Sequence, residues 1–369
     1  MQGGSIFFIT NSAQKYTGNF KNQKSFQRFS YLEGFITIPK RIFTYMKFLT
    51  AYHQLLDASL ISANKDKAPQ GLYAPIDYLL SLGGKRLRPI LVLMACEAFG
   101  KDAKAGLDAA KAVEIFHNFT LMHDDIMDKA ALRRGQQTVH QKWDVNTAIL
   151  SGDAMLIQAY ECLNAYPPEQ FKELTQLLSK TALEVCEGQQ YDVDFETSSD
   201  VSIAQYLEMI RLKTAVLVGC ALEMGARIGG ADSANAKQLY HFGEQLGIAF
   251  QLQDDYLDTF GDAATFGKRI GGDIAENKKT ILVHLTLAHG TPEQQQELTR
   301  WFSNTPKDDS AKITAVTELF SAAKADTATL EEVARYTKNA FDVLDTIPLK
   351  TAQMQRFKDF GNWLMKRTQ

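Results

Sequence analysis

Two short acidic runs are the first residues of this chain whose types and spacing could do chemistry. The first is His123-Asp124-Asp125-Ile126-Met127-Asp128. On a helix, positions i and i+4 share a face, so Asp124 and Asp128 would present two carboxylates side by side. Like charges at that spacing destabilise a bare helix. A magnesium ion bridging them to a phosphate reverses the sign, because Mg²⁺ favours one or two carboxylates plus substrate oxygens. A lone run of this kind is more often a solvated acidic face. Here Phe116, Phe119, Leu121, Met122, Ile126 and Met127 surround it, which points to carboxylates at the mouth of an apolar cavity. The pattern returns at Asp254-Asp255-Tyr256-Leu257-Asp258, behind Phe250-Gln251-Leu252-Gln253. Two such runs facing each other across a cavity would hold several metals on one diphosphate.

Cations are placed to complete such a site. Gly83-Gly84-Lys85-Arg86-Leu87-Arg88-Pro89 sets basic residues beside a flexible turn and the start of a helix. Pro89 suits a first helical turn, and backbone N–H groups at a helix N-terminus favour anions. Arg133-Arg134-Gly135 follows the first acidic run closely enough for its guanidiniums to meet the same phosphates. Lys213-Thr214 lies between Leu212 and Ala215-Val216-Leu217-Val218, where a lysine is an ordinary snorkelling side chain unless an anion awaits it. Lys268, Asp273, Lys278 and Lys279 decorate a glycine-rich stretch after the second run and, read singly, are surface charges.

The elements that must position these residues read as helices. Proline, the residue that most reliably breaks a helix, is missing from 90 to 166 and from 169 to 291. Apolar residues there recur at helical spacing, as in Ile115, Phe119, Leu121 and Met122, while strand-like alternation is hard to find. Breaks fall at Gly83-Gly84, Gly100-Lys101, Pro167-Pro168, Gly229-Gly230, Gly261 to Gly272 and Gly290 to Pro292. The expected architecture is an all-α single domain, a bundle of roughly a dozen helices around a central active-site cavity.

That domain is expected to span 46–369. Residues 1–45 carry six basic side chains against one acid, Glu33, with no sustained period, and helical spacing starts at Met46. This leader reads as a misassigned start or a disordered arm in preference to a transit-like presequence with few arginines. The whole chain of 369 residues has a net charge of −3, so nucleic acid is not an expected partner. Cys96, Cys162, Cys186 and Cys220 lack metal or disulfide spacing and read as reduced thiols. Without a transmembrane-length apolar run or a secretory signal, no membrane insertion is expected and the location expected is cytoplasmic.

In their order, GGKRLRP, HDDIMD with RRGQQTVH, GQQYD, KT, FQLQDDYLD and GKRIGGD resemble the motifs of the trans-type isoprenyl diphosphate synthases of the polyprenyl synthetase family, over roughly residues 46 to 369. The resemblance implies a prenyltransferase that joins isopentenyl diphosphate to an allylic diphosphate, and a homodimer. It implies that Lys85, Arg88, His117 and Arg134 bind isopentenyl diphosphate. Arg133, Lys213, Thr214, Gln251, Lys268 and Lys278 would contact the allylic diphosphate. Asp124, Asp128 and Asp254 would be the principal ligands of Mg²⁺, three ions per site, supported by Asp255 and Asp258, with Gln189 and Asp192 of the GQQYD element nearby. The chemistry implied is ionisation, condensation and elimination, with no protein nucleophile; metals and cations stabilise the departing pyrophosphate.

Product length is a steric matter. Phe119 and Thr120 lie about one turn before Asp124, at about 1.5 Å per residue. A bulky Phe119 would floor the cavity, and in the family an aromatic residue there accompanies short products. Thr120 breaks the aromatic pair of one class of farnesyl synthase, and the first acidic run lacks the two-residue insertion of many bacterial ones. A twenty-carbon product is expected, with fifteen carbons close behind. A class I terpene cyclase would normally carry a different motif in place of DDYLD, and a non-catalytic subunit would typically lose its acidic runs.

Overall fold

The computed structural model describes residues 40–60, 64–198, 200–262, 270–303 and 308–366. The chain divides into two units, residues 1–49 and 50–369. Of the first, residues 40–49 are described and are helical, so helix α1 (Lys40–Leu60) starts ahead of Met46, where the apolar period becomes legible. The earlier leader and Lys268 lie outside the described residues.

The second unit is built of helices. They are α2 (Gln70–Ser81), α3 (Leu87–Ala98), α4 (Leu107–Met127), α5 (Val139–Lys142), α6 (Val145–Cys162), α7 (Pro168–Thr197) and α8 (Ile203–Ile210). A π-helical turn, Arg211–Ala215, leads into α9 (Val216–Gly229). Then come α10 (Ser233–Phe260), α11 (Gly272–Ala275), α12 (Ile281–His289), α13 (Pro292–Phe302), α14 (Ser310–Ala322), α15 (Ala325–Asp345) and α16 (Thr351–Met365). Four of their starts carry a side-chain cap: Asp144, Ser202, Asp232 and Thr291 each accept a bond from a backbone N–H in the first turn. Among the described residues, the breaks expected from glycine and proline fall between helices or at their first or last residues.

Helix α9 is buried along almost its whole length, as a helix at the centre of a bundle must be, and its two charged side chains, Glu223 and Arg227, pair with each other. It packs between α3 and α10, with α15 beyond α10 and α4 against α3 and α6. Small residues set these distances. A Cβ on Gly225 would stand 2.2 Å from the Val92 carbonyl, so only glycine lets α9 lie that close to α3.

Among the described residues, a hairpin after α4 departs from helix, and alternation did not reveal it. Leu132–Arg133 pairs antiparallel with Gln136–Gln137. Its two-residue loop, Arg134-Gly135, has φ of 54° and 76°, the double left-handed geometry that matches the twist of a tight hairpin. Two-residue strands are too short for a period to show.

Candidate active site

The C-terminal ends of α4 and α10 bring the acidic runs to one region. Burial pushes the Asp124 carboxyl up to about 6; Lys213 and Arg133 oppose that shift, while Asp128 and Asp192 add to it. Those five side chains therefore share one field. Lys278 joins them: burial alone would lower its pKa, but Asp273, Glu276 and Asp128 together raise it. The second run enters through Arg88. Burial lowers the Arg88 pKa, while the carboxylates of Glu114 and Asp254 work to restore it.

A second group of cations forms around His117. Burial holds its imidazole well below the ordinary range, and the charges of Arg88, Arg134, Arg133 and Arg86 push the same way. Arg88 Nη1 lies 3.2 Å from His117 Nε2. A guanidinium only donates, so Nε2 is the acceptor and the proton of the neutral ring sits on Nδ1. Arg134 donates to the Gly83 carbonyl and lies over Gly84, where a Cβ would meet its Nη2 at 2.7 Å. The hairpin tip and the glycine loop that carries Lys85 are thereby held together, with Lys85 exposed.

Several residues outside the expected set do the positioning. Arg86 does not face solvent with Lys85: it caps α3 from a left-handed conformation, φ 47°, and is 4% exposed. It pairs with Glu114 of α4 at 2.5 Å and donates to the Leu80 carbonyl at 2.6 Å. Asp125 is buried and takes Arg133 in a two-bond fork, Nε to Oδ2 and Nη2 to Oδ1, each 2.8 Å. Asp124 and Asp128 share one face of α4, while Asp125 lies on another and aims an arginine. The one-residue offset along a helix was the available signal.

Lys213 meets Asp192 of α7 at 2.5 Å, which explains the acid of the GQQYD element. Its glycine is a missed residue. A Cβ on Gly188 would stand 2.2 Å from the Lys213 backbone N and 2.7 Å from Leu212 C, so the absent side chain lets α7 reach the π turn. Gln189 Oε1 is buried without a partner among the described residues. Thr214 Oγ1 donates to Gln251 Oε1 at 3.1 Å, and Gln251 Nε2 donates to Asp255 Oδ1 at 3.0 Å. Asp258 Oδ2 accepts from the Asp273 backbone N–H at 2.9 Å, tying α11 to α10. Lys279 donates to the carbonyls of Phe195 and Glu196 at 3.0 Å and of Ser198 at 2.5 Å, capping the end of α7. Lys278 and Lys279 thus do different work.

Phe119 is half-buried, its ring 5.6 Å from that of Phe116 and 4.9 Å from the His123 imidazole. Thr120 turns its hydroxyl to the His117 carbonyl at 2.8 Å.

Among the described residues no three acidic, histidine or cysteine side chains converge into a metal cage. The donors fit a divalent ion of another kind. Asp124 and Asp128 repel one another, and a cation completed by phosphate oxygens relieves that repulsion. Such carboxylate pairs, with cations ringed around them, can hold a metal–diphosphate unit.

The comparisons agree. The polyprenyl synthetase family model matches residues 69–319. The geranylgeranyl diphosphate synthase of Methanosarcina mazei is 44% identical over 230 residues, 62% of this chain and 71% of that protein. A crystal structure of a geranylgeranyl pyrophosphate synthase superposes with TM-score 0.83 at 47% identity, covering 88% of this chain and 99% of that one. The Corynebacterium glutamicum geranylgeranyl pyrophosphate synthase, complexed with isoprenyl diphosphate and magnesium, gives TM-score 0.75 at 27% identity, covering 88% and 98%. This chain belongs to the polyprenyl synthetase family, the all-α trans-isoprenyl diphosphate synthases.

Proposed function

We propose that the protein condenses isopentenyl diphosphate with an allylic diphosphate to give an all-trans twenty-carbon prenyl diphosphate. The observation that carries this reading is the convergence of two groups of charge. Asp124, Asp128, Lys213, Arg133 and Lys278 share one field, and Arg88, His117 and Arg134 share another that reaches Asp254. One diphosphate would need one such group; two groups suit two diphosphates.

In this reading Lys213, Arg133, Thr214, Gln251, Lys278 and Lys268 hold the allylic diphosphate. Asp124, Asp128 and Asp254, with Asp258 in support, would hold Mg²⁺, three ions per site. When bound, magnesium neutralises charge on the departing pyrophosphate. The protein side of the reaction is electrostatic and steric. Lys213, set by Asp192, and Arg133, set by Asp125, are aimed before the bond breaks, so no reorganisation is needed as charge develops. Lys85, Arg88, Arg134 and the Nδ1–H of His117 fix isopentenyl diphosphate so that its double bond faces the allylic carbon. Apolar walls keep water from the cation formed there. The proton lost after condensation goes to the pyrophosphate, the base nearest to hand.

Phe119, half-buried against Phe116 and His123 a turn before Asp124, supports a floor that stops growth at twenty carbons. The reading includes a cytoplasmic homodimer. A row of exposed apolar residues on α6, Val145, Ile149, Leu150 and Ile157, supports the dimer. The test is incubation with isopentenyl diphosphate, magnesium and allylic primers of five, ten and fifteen carbons, followed by chromatography of the dephosphorylated products. Elongation ending at twenty carbons is expected. A cyclised hydrocarbon, or no turnover by the protein alone, would overturn the reading.

A further inference from the structure

Asp255 and Tyr206 belong to an unbroken set of hydrogen bonds that ends at the π turn. The Tyr206 hydroxyl, on α8, donates to Asp255 Oδ2. Gln251, one turn earlier on α10, donates through Nε2 to Asp255 Oδ1 at 3.0 Å, and its Oε1 accepts from Thr214 at 3.1 Å. The backbone N–H of Ile281, which opens α12, addresses the same carboxylate. Tyr206 and Asp255 are 3% and 4% exposed, and the His284 ring packs on the Tyr206 ring at 5.1 Å.

We infer that Asp255 is a positioning residue and not a metal ligand: together with Tyr206 it orients the Gln251 amide and so holds Thr214 and Lys213 in place for the allylic diphosphate. The inference rests on the synthase reading above. Its logic is the one-way character of the groups. Both carboxylate oxygens accept, Oδ2 from the Tyr206 hydroxyl and Oδ1 from Gln251 Nε2, so the amide presents its NH₂ end to Asp255, and that turns Oε1 toward Thr214. The second Nε2 hydrogen then remains for a ligand. Tyr206 and Ile281 occupy the rest of the carboxylate and stop it from rotating. A buried carboxylate with three protein donors is satisfied where it stands. The π turn is the element that requires this support. A π turn is a rare local distortion of a helix, and Lys213 depends on its shape.

The test uses the full chain with Asp255→Asn, Tyr206→Phe and the double variant. Asp255→Asn leaves one acceptor oxygen where two stood, so Gln251 or Tyr206 loses its acceptor, and either loss loosens the hold on the Gln251 amide and with it Thr214. Tyr206→Phe removes one oxygen only and keeps the experiment decisive if Asp255→Asn folds poorly. Binding of the allylic diphosphate is measured by calorimetry at saturating magnesium without isopentenyl diphosphate. KM for isopentenyl diphosphate and the magnesium concentration for half-maximal rate are measured alongside. Each single variant should weaken allylic binding by about threefold to tenfold, the range for one lost hydrogen bond. The double variant should be no weaker than the weaker single one, because both act through Gln251. The isopentenyl KM and magnesium requirement should not move. Unchanged allylic binding in both single variants would overturn the inference. So would a raised magnesium requirement in Asp255→Asn whose allylic binding is normal at saturating metal. Failure of the wild-type protein to elongate any primer would instead overturn the synthase reading.

Discussion

Replacing Gly188 with alanine should cripple catalysis while sparing the fold. On intrinsic propensity alone the change inside α7 should stabilise the helix by roughly 1 kcal/mol. The contact reverses that sign. The new Cβ would lie 2.2 Å from the Lys213 backbone N and 2.7 Å from both Leu212 C and Lys213 Cα. Ordinary contact begins near ~3.5 Å, so α7 and the π turn must part by about 1 Å. The opposing atoms are backbone, so no side chain can swing away. Overpacking of this kind costs about 1–3 kcal/mol. The larger effect is on chemistry, because Lys213 shifts relative to Asp124 and Asp192. A misplacement of about 1 Å can cost on the order of a hundredfold in rate, or about 2.7 kcal/mol. The assay is incorporation of labelled isopentenyl diphosphate under saturating primer, with KM for each substrate and a thermal melt. Expected are kcat down about a hundredfold, a raised allylic KM, an unchanged isopentenyl KM and a cooperative melt. A kcat within twofold of the parent would refute the reasoning that the glycine sets the position of Lys213.

Asp124→Ala and Asp254→Ala should each lower kcat by orders of magnitude with the far-ultraviolet spectrum intact; near-normal turnover of either would sink the two-cluster mechanism. Lys85→Ala should chiefly raise KM for isopentenyl diphosphate, and Lys213→Ala should chiefly affect the allylic partner. Each loss should amount to about tenfold to a hundredfold, as for a bond to a charged group, and equal effects on both substrates would contradict the assignment. Phe119→Ala should extend the product to twenty-five carbons and beyond, and Thr120→Phe should shorten it toward fifteen; an unchanged product distribution from Phe119→Ala would make that ring plain core. Burial lowers the His284 pKa to about 4, so above the ordinary value of about 6.5 its contribution to stability is complete. As pH falls from there toward 4, the unfolded chain takes up a proton that the buried ring refuses, at a cost of up to about 3 kcal/mol. Denaturant midpoints at pH 7 and 5 should therefore fall further for the parent than for His284→Phe, and equal falls would contradict this.

Fold class was legible because its signals are local. Long proline-free spans with apolar residues at helical spacing, and glycine or proline at many of the breaks, are properties of neighbouring residues; the breaks at Trp143-Asp144 and Ala323-Lys324 carry neither residue. The two acidic runs were legible for the same reason, since one turn of helix fixes which carboxylates share a face. Family membership followed from the order of the motifs. What the sequence by itself could not assign was the direction of each charged side chain. Arg86 and Lys85 are adjacent, yet one is buried against Glu114 and the other is exposed. Asp125 sits beside Asp124, yet it grips Arg133. Lys279 caps α7 while Lys278 joins the acidic field. Gly188 has no local role, and its meaning exists only where a second backbone comes within van der Waals distance. The Tyr206–Asp255 and Thr214–Gln251 bonds likewise join residues far apart in sequence. Partners across the bundle decide these features, and a period of 3.6 residues says nothing about who those partners are.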